Sequence, residues 1–232
     1  NNITLIPISG DIDMGLPYYI ERGIEISEQD SSKLIIFEID TFGGRVDAAT
    51  RIKDLILETK IRTIAFINRR AISAGALISL SCDQIIMTDG ATIGAATAVD
   101  AKGEKASEKV ISYMREEMAS TAEANGKSRE IAEAMVDENI KINFMVTSSK
   151  DTIRSDLIKG FDEGKLITLS TVNAIKLGIA DNQLETIDSI IKSEGIDNYN
   201  LIRIKETWAE RLVRFLTNPN VAPLLMSLGM LG

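Results

Sequence analysis

A serine lies at a point in the sequence where its hydroxyl could act as a nucleophile. Ser73 follows an apolar run of strand length, 63–68, and directly precedes a short helical pattern, 74–80. A hydroxyl at the start of a helix lies at the positive end of the helix dipole, where developing negative charge is stabilised. Small residues after the serine leave room for a substrate backbone. An ordinary helix N-cap uses the same residue type at the same place, so both interpretations stay open here.

A pair of glycines occupies a second junction of this kind. Gly43 and Gly44 follow the apolar run 33–39 and precede the helical pattern 45–60. Paired glycines allow positive φ and can expose backbone N–H groups at a helix start, which could bind an oxyanion. A plain tight turn would use the same residues. The phosphate-loop motif GxxxxGK[ST] and the dinucleotide motif GxGxxG are both absent.

The choice of a catalytic base is narrowed by composition. The chain has no histidine, which excludes a Ser-His-Asp triad, a Cys-His dyad, a histidine-metal site and a histidine base within it. Cys82 is the one cysteine, so neither an internal disulfide nor a thiolate zinc cluster can form. An enzyme built on this sequence would therefore use a carboxylate, a lysine or a tyrosine as its base.

Lysine is the known substitute for histidine beside a serine nucleophile, and it must be largely neutral to accept a proton. The reference pKa of lysine is about 10.4, so neutrality near pH 7 requires burial. One face of the helical pattern 105–124 carries apolar residues four positions apart: Ala106, Val110, Met114 and Met118. Lys109 adjoins this face, whereas Lys105 lies one turn earlier beside a polar loop. Lys109 is therefore the better-buried candidate, although the helix pattern alone places it on the surface.

The elements that must position these residues alternate between strands and helices. Ile-rich runs at 3–8, 33–39, 63–68 and 84–88 are typical of buried strands. Helical patterns follow at 45–60, 74–80, 105–124 and 128–136, and a short strand and a helix with a Thr171 cap and a Gly178 stop are predicted over 166–179. The alternation predicts an α/β fold with helices covering a largely parallel sheet.

The end of the chain differs in character from the rest. Trp208, Leu212 and Phe215 have helical spacing, and the uncharged run 221–232 is almost entirely apolar. One interpretation is an amphipathic helix at a membrane surface, followed by the start of a membrane-spanning segment, which needs about 20 apolar residues. The alternative is an apolar tail that packs on the core or on another subunit. The net charge of −8 argues against binding to nucleic acid.

The order and spacing of several segments resemble the ClpP-class serine proteases of the membrane-associated NfeD group. The segments that carry the resemblance are 41–48 (TFGGRVDA), 71–76 (AISAGA), 87–95 (MTDGATIGA), 108–113 (EKVISY), 164–170 (GKLITLS) and 211–219 (RLVRFLTNP). They cover nearly the whole chain. One departure is Phe42, which stands where the family has a proline before its glycine pair.

The resemblance implies a ClpP/crotonase fold of stacked ββα units, with a protease domain over 1–200 and the amphipathic helix and truncated membrane segment over 201–232. It implies Ser73 as the nucleophile and Lys109 as the general base. The backbone N–H groups of Gly44 and Ala74 would form the oxyanion hole. Substrate contacts would come from Gly43, Phe42, Ile72 and Ala76. No metal or cofactor is required.

The resemblance also implies a biological setting. The substrate would be a hydrophobic segment of a protein, the partner a stomatin-like or flotillin-like membrane protein, and the chain a homodimer or a larger homo-oligomer. The protease domain would be membrane-anchored and lie outside the cytoplasm. Two alternatives remain: a non-catalytic membrane-anchored scaffold, and a crotonase-like acyl-CoA enzyme. The second is disfavoured because no paired catalytic glutamates are evident.

Overall fold

The computed structural model describes residues 1–99, 103–154, 164–217 and 221. The strands are β1 (Asn2–Ile12), β2 (Leu34–Gly44), β3 (Arg62–Ile72), β4 (Gln84–Met87), β5 (Thr92–Gly94), β6 (Phe144–Val146), β7 (Thr152–Arg154), β8 (Thr168–Ser170), β9 (Asn182–Gln183) and β10 (Asn200–Arg203). The helices are α1 (Leu16–Gln29), α2 (Val46–Glu58), α3 (Ala74–Leu80), α4 (Glu108–Ala124), α5 (Arg129–Val136), α6 (Thr171–Lys176), α7 (Ile187–Ser193) and α8 (Trp208–Thr217).

The centre of the fold is a parallel sheet with the strand order β10-β1-β2-β3-β4-β9 over the described residues. β5 continues this sheet beside the end of β3 and pairs antiparallel with β8. The predicted α/β architecture with a largely parallel sheet is therefore confirmed. β6 and β7 form a separate antiparallel pair.

The sheet is buried on both faces, as parallel sheets generally are. Along β2, Ile35, Phe37 and Ile39 belong to the larger apolar core, together with buried residues of α1, α2 and α3. Leu34 and Ile36 point to the opposite face and pack in a smaller cluster with residues of α7. Alternate residues of a strand face opposite sides, so the continuous apolar run of β2 serves both layers.

The predicted strands are confirmed, but three of them extend further than the apolar runs indicate. β1, β2 and β3 continue to Ile12, Gly44 and Ile72, so the glycine pair ends a strand rather than forming a separate turn. Register shifts occur in the β1–β2 and β2–β3 pairings within these extensions. These extensions are held by pairing with neighbouring strands. Their residues are polar or small, so the apolar pattern of the sequence does not indicate a strand there.

The helices follow the predicted patterns with three differences. α4 begins at Glu108, and its buried residues include Met114 and Met118 but not Val110, which is 37% exposed. Ser170, not Thr171, is the N-cap of α6, because the backbone of Ser170 is extended and Thr171 is the first helical residue. The Thr171 hydroxyl donates to the Thr88 carbonyl. α1 and α7 were not predicted, although α1 buries residues at helical spacing.

The chain beyond residue 199 contacts the main fold through β10, which pairs with β1, and through ion pairs of α8. The exposed apolar residues of α8 include Trp208, Leu212 and Phe215. None of the helices in the described part of the chain has the length and apolar character needed to cross a bilayer. The apolar run 221–232 lies outside the described residues except for Val221.

Candidate active site

Ser73 lies at a sharp junction between β3, which ends at Ile72, and α3, which begins at Ala74. Its backbone has φ 56° and ψ −119°, and its N–H donates to the Gly94 carbonyl at 2.9 Å. A non-glycine residue with positive φ stores strain of about 1–3 kcal/mol, and such strain is common at functional sites. The Ser73 side chain forms no capping hydrogen bond to α3, so this serine does not do the work of an ordinary N-cap.

The end of β2 runs directly past this serine. Gly43 has φ +109°, and a Cβ atom added to it would lie 2.6 Å from the Ser73 Cβ and 3.1 Å from the Ser73 Oγ. The Gly43 N–H donates to the Thr41 hydroxyl at 2.9 Å. Only glycine therefore fits at position 43, and its own N–H is already used within the strand.

Gly44 is equally confined, but on the other side of β2. A Cβ atom on Gly44 would lie 2.3 Å from the Ile12 carbonyl oxygen. The same oxygen accepts the Arg45 N–H at 2.8 Å. The position of Gly44 is therefore fixed by the end of β1.

The two candidate lysines have different surroundings. Lys105 forms an ion pair of 2.6 Å with Glu138, and the hydrogen bond to this carboxylate raises the pKa of Lys105. Lys105 is thereby held in the charged form. Lys109, in the first turn of α4, forms no ion pair with the residues that the structure describes. Lys109 is exposed, as the helix pattern indicates, and Lys105 is exposed too. The structure therefore does not distinguish Lys109 as the better-buried lysine of the two.

Two open cavities are lined by chain neighbours of the candidate site residues. One, of about 470 Å³, is lined by Phe42, Ile72, Asn68, Arg69, Arg70, Asp89, Gly90 and Thr92. The Phe42 side chain is 70% exposed, and the Arg70 guanidinium lies 4.4 Å from its ring centroid. The other cavity, of about 670 Å³, lies between α2 and α4, and its lining includes Arg45, Val110 and Tyr113. Ile72, which precedes Ser73, lines the first cavity, and Arg45, which follows Gly44, lines the second.

One predicted substrate contact lies elsewhere. Ala76 is 0% exposed and packs in the larger core together with Ala74 and Leu77. The first turn of α3 turns this methyl group inward, so Ala76 is removed from the set of substrate-contacting residues. Ala74 is also buried, with 3% of its surface exposed, but the role predicted for it requires only its backbone N–H. The first N–H groups of a helix have no partner within the helix.

The family of this chain follows from its similarity to known proteins. The family model described as "NfeD1b, N-terminal domain" matches residues 2–204. The chain belongs to the NfeD1b N-terminal domain family. It is 32% identical over 230 residues to membrane protein NfeD1b of Bacillus subtilis, covering 99% of the chain and 49% of that protein. It is 27% identical over 237 residues to membrane-bound protease PH1510 of Pyrococcus horikoshii, covering 99% and 51%. The chain thus spans about half the length of these relatives.

Solved structures share the fold of this NfeD1b domain. The 1510-N membrane-bound stomatin-specific protease, in a variant with a lysine replaced by alanine and a substrate peptide bound, has a TM-score of 0.73 at 23% identity, covering 94% of this chain and 98% of that one. ClpP1 from Listeria monocytogenes has a TM-score of 0.58 at 22% identity, covering 80% and 94%. These likenesses confirm the predicted ClpP-like fold.

Two residues of the NfeD1b domain that shape the site were missed in the sequence. The Thr41 hydroxyl donates to the Gly10 carbonyl at 2.5 Å while it accepts the Gly43 N–H. Arg70 stacks on Phe42 and pairs with Asp40 at 3.2 Å. Both residues lie in segments that carry the family resemblance or adjoin them. Thr41 bonds to a residue of β1, and Arg70 of β3 contacts residues of β2. The local sequence does not reveal these contacts between strands.

Gly43→Ala is expected to displace the Ser73 side chain, because the added methyl group would lie 2.6 Å from the Ser73 Cβ. If Ser73 is the nucleophile that the family resemblance implies, this displacement lowers peptide hydrolysis about 100-fold or more. Steady-state hydrolysis of a short apolar peptide measures the effect. Gly126→Ala is the matched control, since Gly126 also has positive φ, +68°, but open space around it. Equal activity of the two variants would contradict the close approach of β2 to Ser73.

Proposed function

We propose that this domain is a serine endopeptidase of the ClpP class, with Ser73 as its nucleophile and Lys109 as its general base. The observation that carries the proposal is the strained backbone of Ser73, whose side chain does not cap α3 and lies against Gly43, where only glycine fits. The proteases named among the relatives and structural neighbours support it. The contrast between the lysines supports the choice of Lys109, since Lys105 is held charged by Glu138.

The proposed reaction is acyl transfer to Ser73 followed by hydrolysis. The Ser73 Oγ attacks the carbonyl carbon of a peptide bond, and its proton passes to the Lys109 Nζ. The backbone N–H groups of Gly44 and Ala74 donate to the oxyanion of the tetrahedral intermediate. The C–N bond then breaks, and the amine leaves with the proton from Lys109. Water, deprotonated by Lys109, attacks the carbonyl carbon of the acyl-enzyme. The ester C–O bond to the Ser73 Oγ breaks, and the proton on Lys109 passes to this oxygen as the carboxylic acid is released. No metal or cofactor takes part.

Because Lys109 is exposed, the proposal requires the bound substrate to shield it from water. Val110 and Tyr113 follow Lys109 in α4 and line the cavity between α2 and α4. A peptide that fills this cavity would exclude water from the first turn of α4. Loss of water disfavours the charged form of an amine. Lys109 would therefore become an effective base mainly when substrate is bound.

The proposed substrate is a hydrophobic segment of a membrane-associated protein. Phe42 and Ile72 line one cavity, and Val110 and Tyr113 line the other. Arginine and aspartate side chains complete both linings. We expect the apolar side chains to bind apolar residues on both sides of the cleaved bond. By analogy with the 1510-N protease, whose name specifies stomatin, we propose a stomatin-like or flotillin-like protein as substrate or partner. Assembly as a homodimer or a larger homo-oligomer belongs to the same proposal.

Labelling with a fluorophosphonate probe tests the proposed chemistry. We expect the purified chain to be labelled at Ser73, as shown by mass spectrometry of the labelled peptide. A peptide library should then show preference for apolar residues at the cleaved bond. Labelling at another serine, or none, would refute the assignment of Ser73. Selection for charged residues at the cleaved bond would refute the proposed substrate class.

We also propose that α8 lies at a membrane surface, with the protease domain outside the cytoplasm and a spanning segment following. The named relatives are membrane proteins. Ion pairs of Glu210 and Arg214 hold one side of α8 against the domain. The side chains of Trp208, Leu212 and Phe215 are exposed to solvent. A helix with one charged side and one exposed apolar side is suited to the interface of a bilayer.

Phe215→Glu is expected to lower vesicle binding about tenfold, because it removes a large apolar side chain from the exposed side of α8. Co-sedimentation with phosphatidylcholine–phosphatidylglycerol vesicles measures the bound fraction. Trp208, the single tryptophan, supplies a second readout through a blue shift of its emission. Val172→Glu is the control, since Val172 is 65% exposed on α6. If both variants bind vesicles as the parent chain does, α8 is not the contact surface.

A further inference from the structure

α8 is attached to the domain at two separate points. Arg22 of α1 donates to the Glu210 carboxylate through Nε at 2.6 Å and Nη2 at 2.8 Å. Arg214, one turn further along α8, reaches the segment 11–16, which covers the end of β1 and the start of α1. Its Nε donates to Asp13 Oδ2 at 2.7 Å and its Nη2 to the Asp11 carbonyl at 2.9 Å. Arg214 also pairs with Glu206. The two attachments hold the same helix but touch different parts of the domain.

The segment that Arg214 contacts is tightly built. Asp13 is only 5% exposed, and its second carboxylate oxygen accepts the N–H groups of Gly15 at 2.8 Å and Leu16 at 3.1 Å. A Cβ atom on Gly15 would lie 2.7 Å from the Arg214 Cγ. Asp13 therefore links the start of α1 to α8, and the Arg214 side chain fills the space beside this segment. Without Arg214, a nearly buried carboxylate would lose its cation, which favours rearrangement of the segment.

The same segment contains the residue that fixes the glycine strand. Ile12 immediately precedes Asp13, and it pairs with Gly44 at the end of the β1–β2 ladder. The Ile12 carbonyl accepts the Arg45 N–H at 2.8 Å. The distance of 2.3 Å from this oxygen to a Cβ atom on Gly44 shows how closely the two backbones approach. A shift of Ile12 would therefore move Gly44.

We propose that Asp13 and Arg214 are positioning residues for the backbone N–H of Gly44, and that α8 thereby helps to set the geometry of the oxyanion hole. The inference rests on the proposed function, because Gly44 matters to the rate only if its N–H stabilises an oxyanion. In this proposal α8 affects the Gly44 N–H through Arg214, Asp13 and Ile12. Neither Asp13 nor Arg214 lines the two cavities described above, so both would act through Ile12.

Kinetics of paired variants test this link. Arg214→Ala is expected to lower kcat for a short apolar peptide about tenfold while KM changes less than about twofold, because the defect concerns the transition state rather than binding. Arg22→Ala removes the other attachment of α8 and should leave kcat within about twofold of the parent value. Arg214→Lys, which can keep one bond to Asp13, should recover part of the loss. Asp13→Asn, which keeps an oxygen for the Gly15 and Leu16 N–H groups, should lower kcat in the same direction as Arg214→Ala.

Amide hydrogen exchange gives a readout that does not depend on activity. The Arg45 N–H, bonded to Ile12, should exchange about tenfold faster in Arg214→Ala and at the parent rate in Arg22→Ala. Equal effects of Arg214→Ala and Arg22→Ala on kcat and on exchange, or no effect of Arg214→Ala on either, would overturn the inference. If the parent chain hydrolyses no peptide and binds no fluorophosphonate, the proposed function fails, and the positioning of a catalytic group falls with it. A changed exchange rate would then leave only a structural link between α8 and the glycine strand.

Discussion

Ser73→Ala is expected to abolish peptide hydrolysis and fluorophosphonate labelling, with the hydrolysis rate falling about 10⁴-fold or more. The change removes the hydroxyl that attacks the carbonyl carbon. It leaves the backbone N–H groups and the cavity beside Ile72 in place, so binding of the peptide should persist. Steady-state hydrolysis and a fluorescence assay of peptide binding separate the two effects. Hydrolysis at the parent rate would refute the proposed mechanism.

Ser73→Gly sharpens the same experiment. It also removes the hydroxyl, so it should be as inactive as Ser73→Ala. Glycine adopts positive φ without the strain that a side chain brings, so Ser73→Gly should be about 1 kcal/mol more stable than Ser73→Ala. Urea unfolding of the two variants measures this difference. Two inactive variants that differ in stability in this direction would show that Ser73 holds a strained conformation. A less stable glycine variant would contradict that interpretation.

Lys109→Ala is expected to lower the hydrolysis rate about 10³-fold, because the serine hydroxyl then has no group to accept its proton. Lys109→Arg should be about as inactive, since a guanidinium stays protonated and cannot act as a base. The side chain is exposed in the first turn of α4, so neither change should disturb the core. Thermal unfolding of both variants checks that the fold is kept.

Lys105→Ala is the matched control for this experiment. Lys105 lies one helical turn before Lys109 and pairs with Glu138 at 2.6 Å on the surface. Its removal should leave hydrolysis within about twofold of the parent value, since an exposed ion pair contributes little to stability. If Lys105→Ala is inactive and Lys109→Ala is active, the base is Lys105 and the proposed assignment to Lys109 is wrong.

The fold class could be read from the sequence because its signals are local. β2 and β3 each contain a run of adjacent apolar residues, and α2 and α5 carry theirs at helical spacing. α1 was missed although it too buries one face. The ends of β1, β2 and β3 were missed because their polar and small residues form strands only by pairing with each other.

Part of the candidate site could also be predicted from the residues. The absence of histidine restricts any base to other residue types. Ser73 and the glycine pair were identified from their positions between strand and helix patterns, and the family resemblance suggested Lys109 and the oxyanion hole. The helix pattern indicates the exposure of Lys109, but the residue pattern does not reveal the burial of Ala76. The side of a short helix that faces the core depends on what packs against it, and residue spacing alone does not reveal that.

The sequence by itself determined which chemical groups are present, their order along the chain, and the alternation of strands and helices that gives the sheet. Only the tertiary structure decided that Gly43 lies against Ser73, that Lys105 forms an ion pair with Glu138, and that Arg214 reaches Asp13. The physical reason is distance along the chain. Hydrophobic periodicity arises among neighbouring residues, whereas these contacts join residues from 30 to 201 positions apart. Such contacts exist only after the strands have paired and the helices have packed on them.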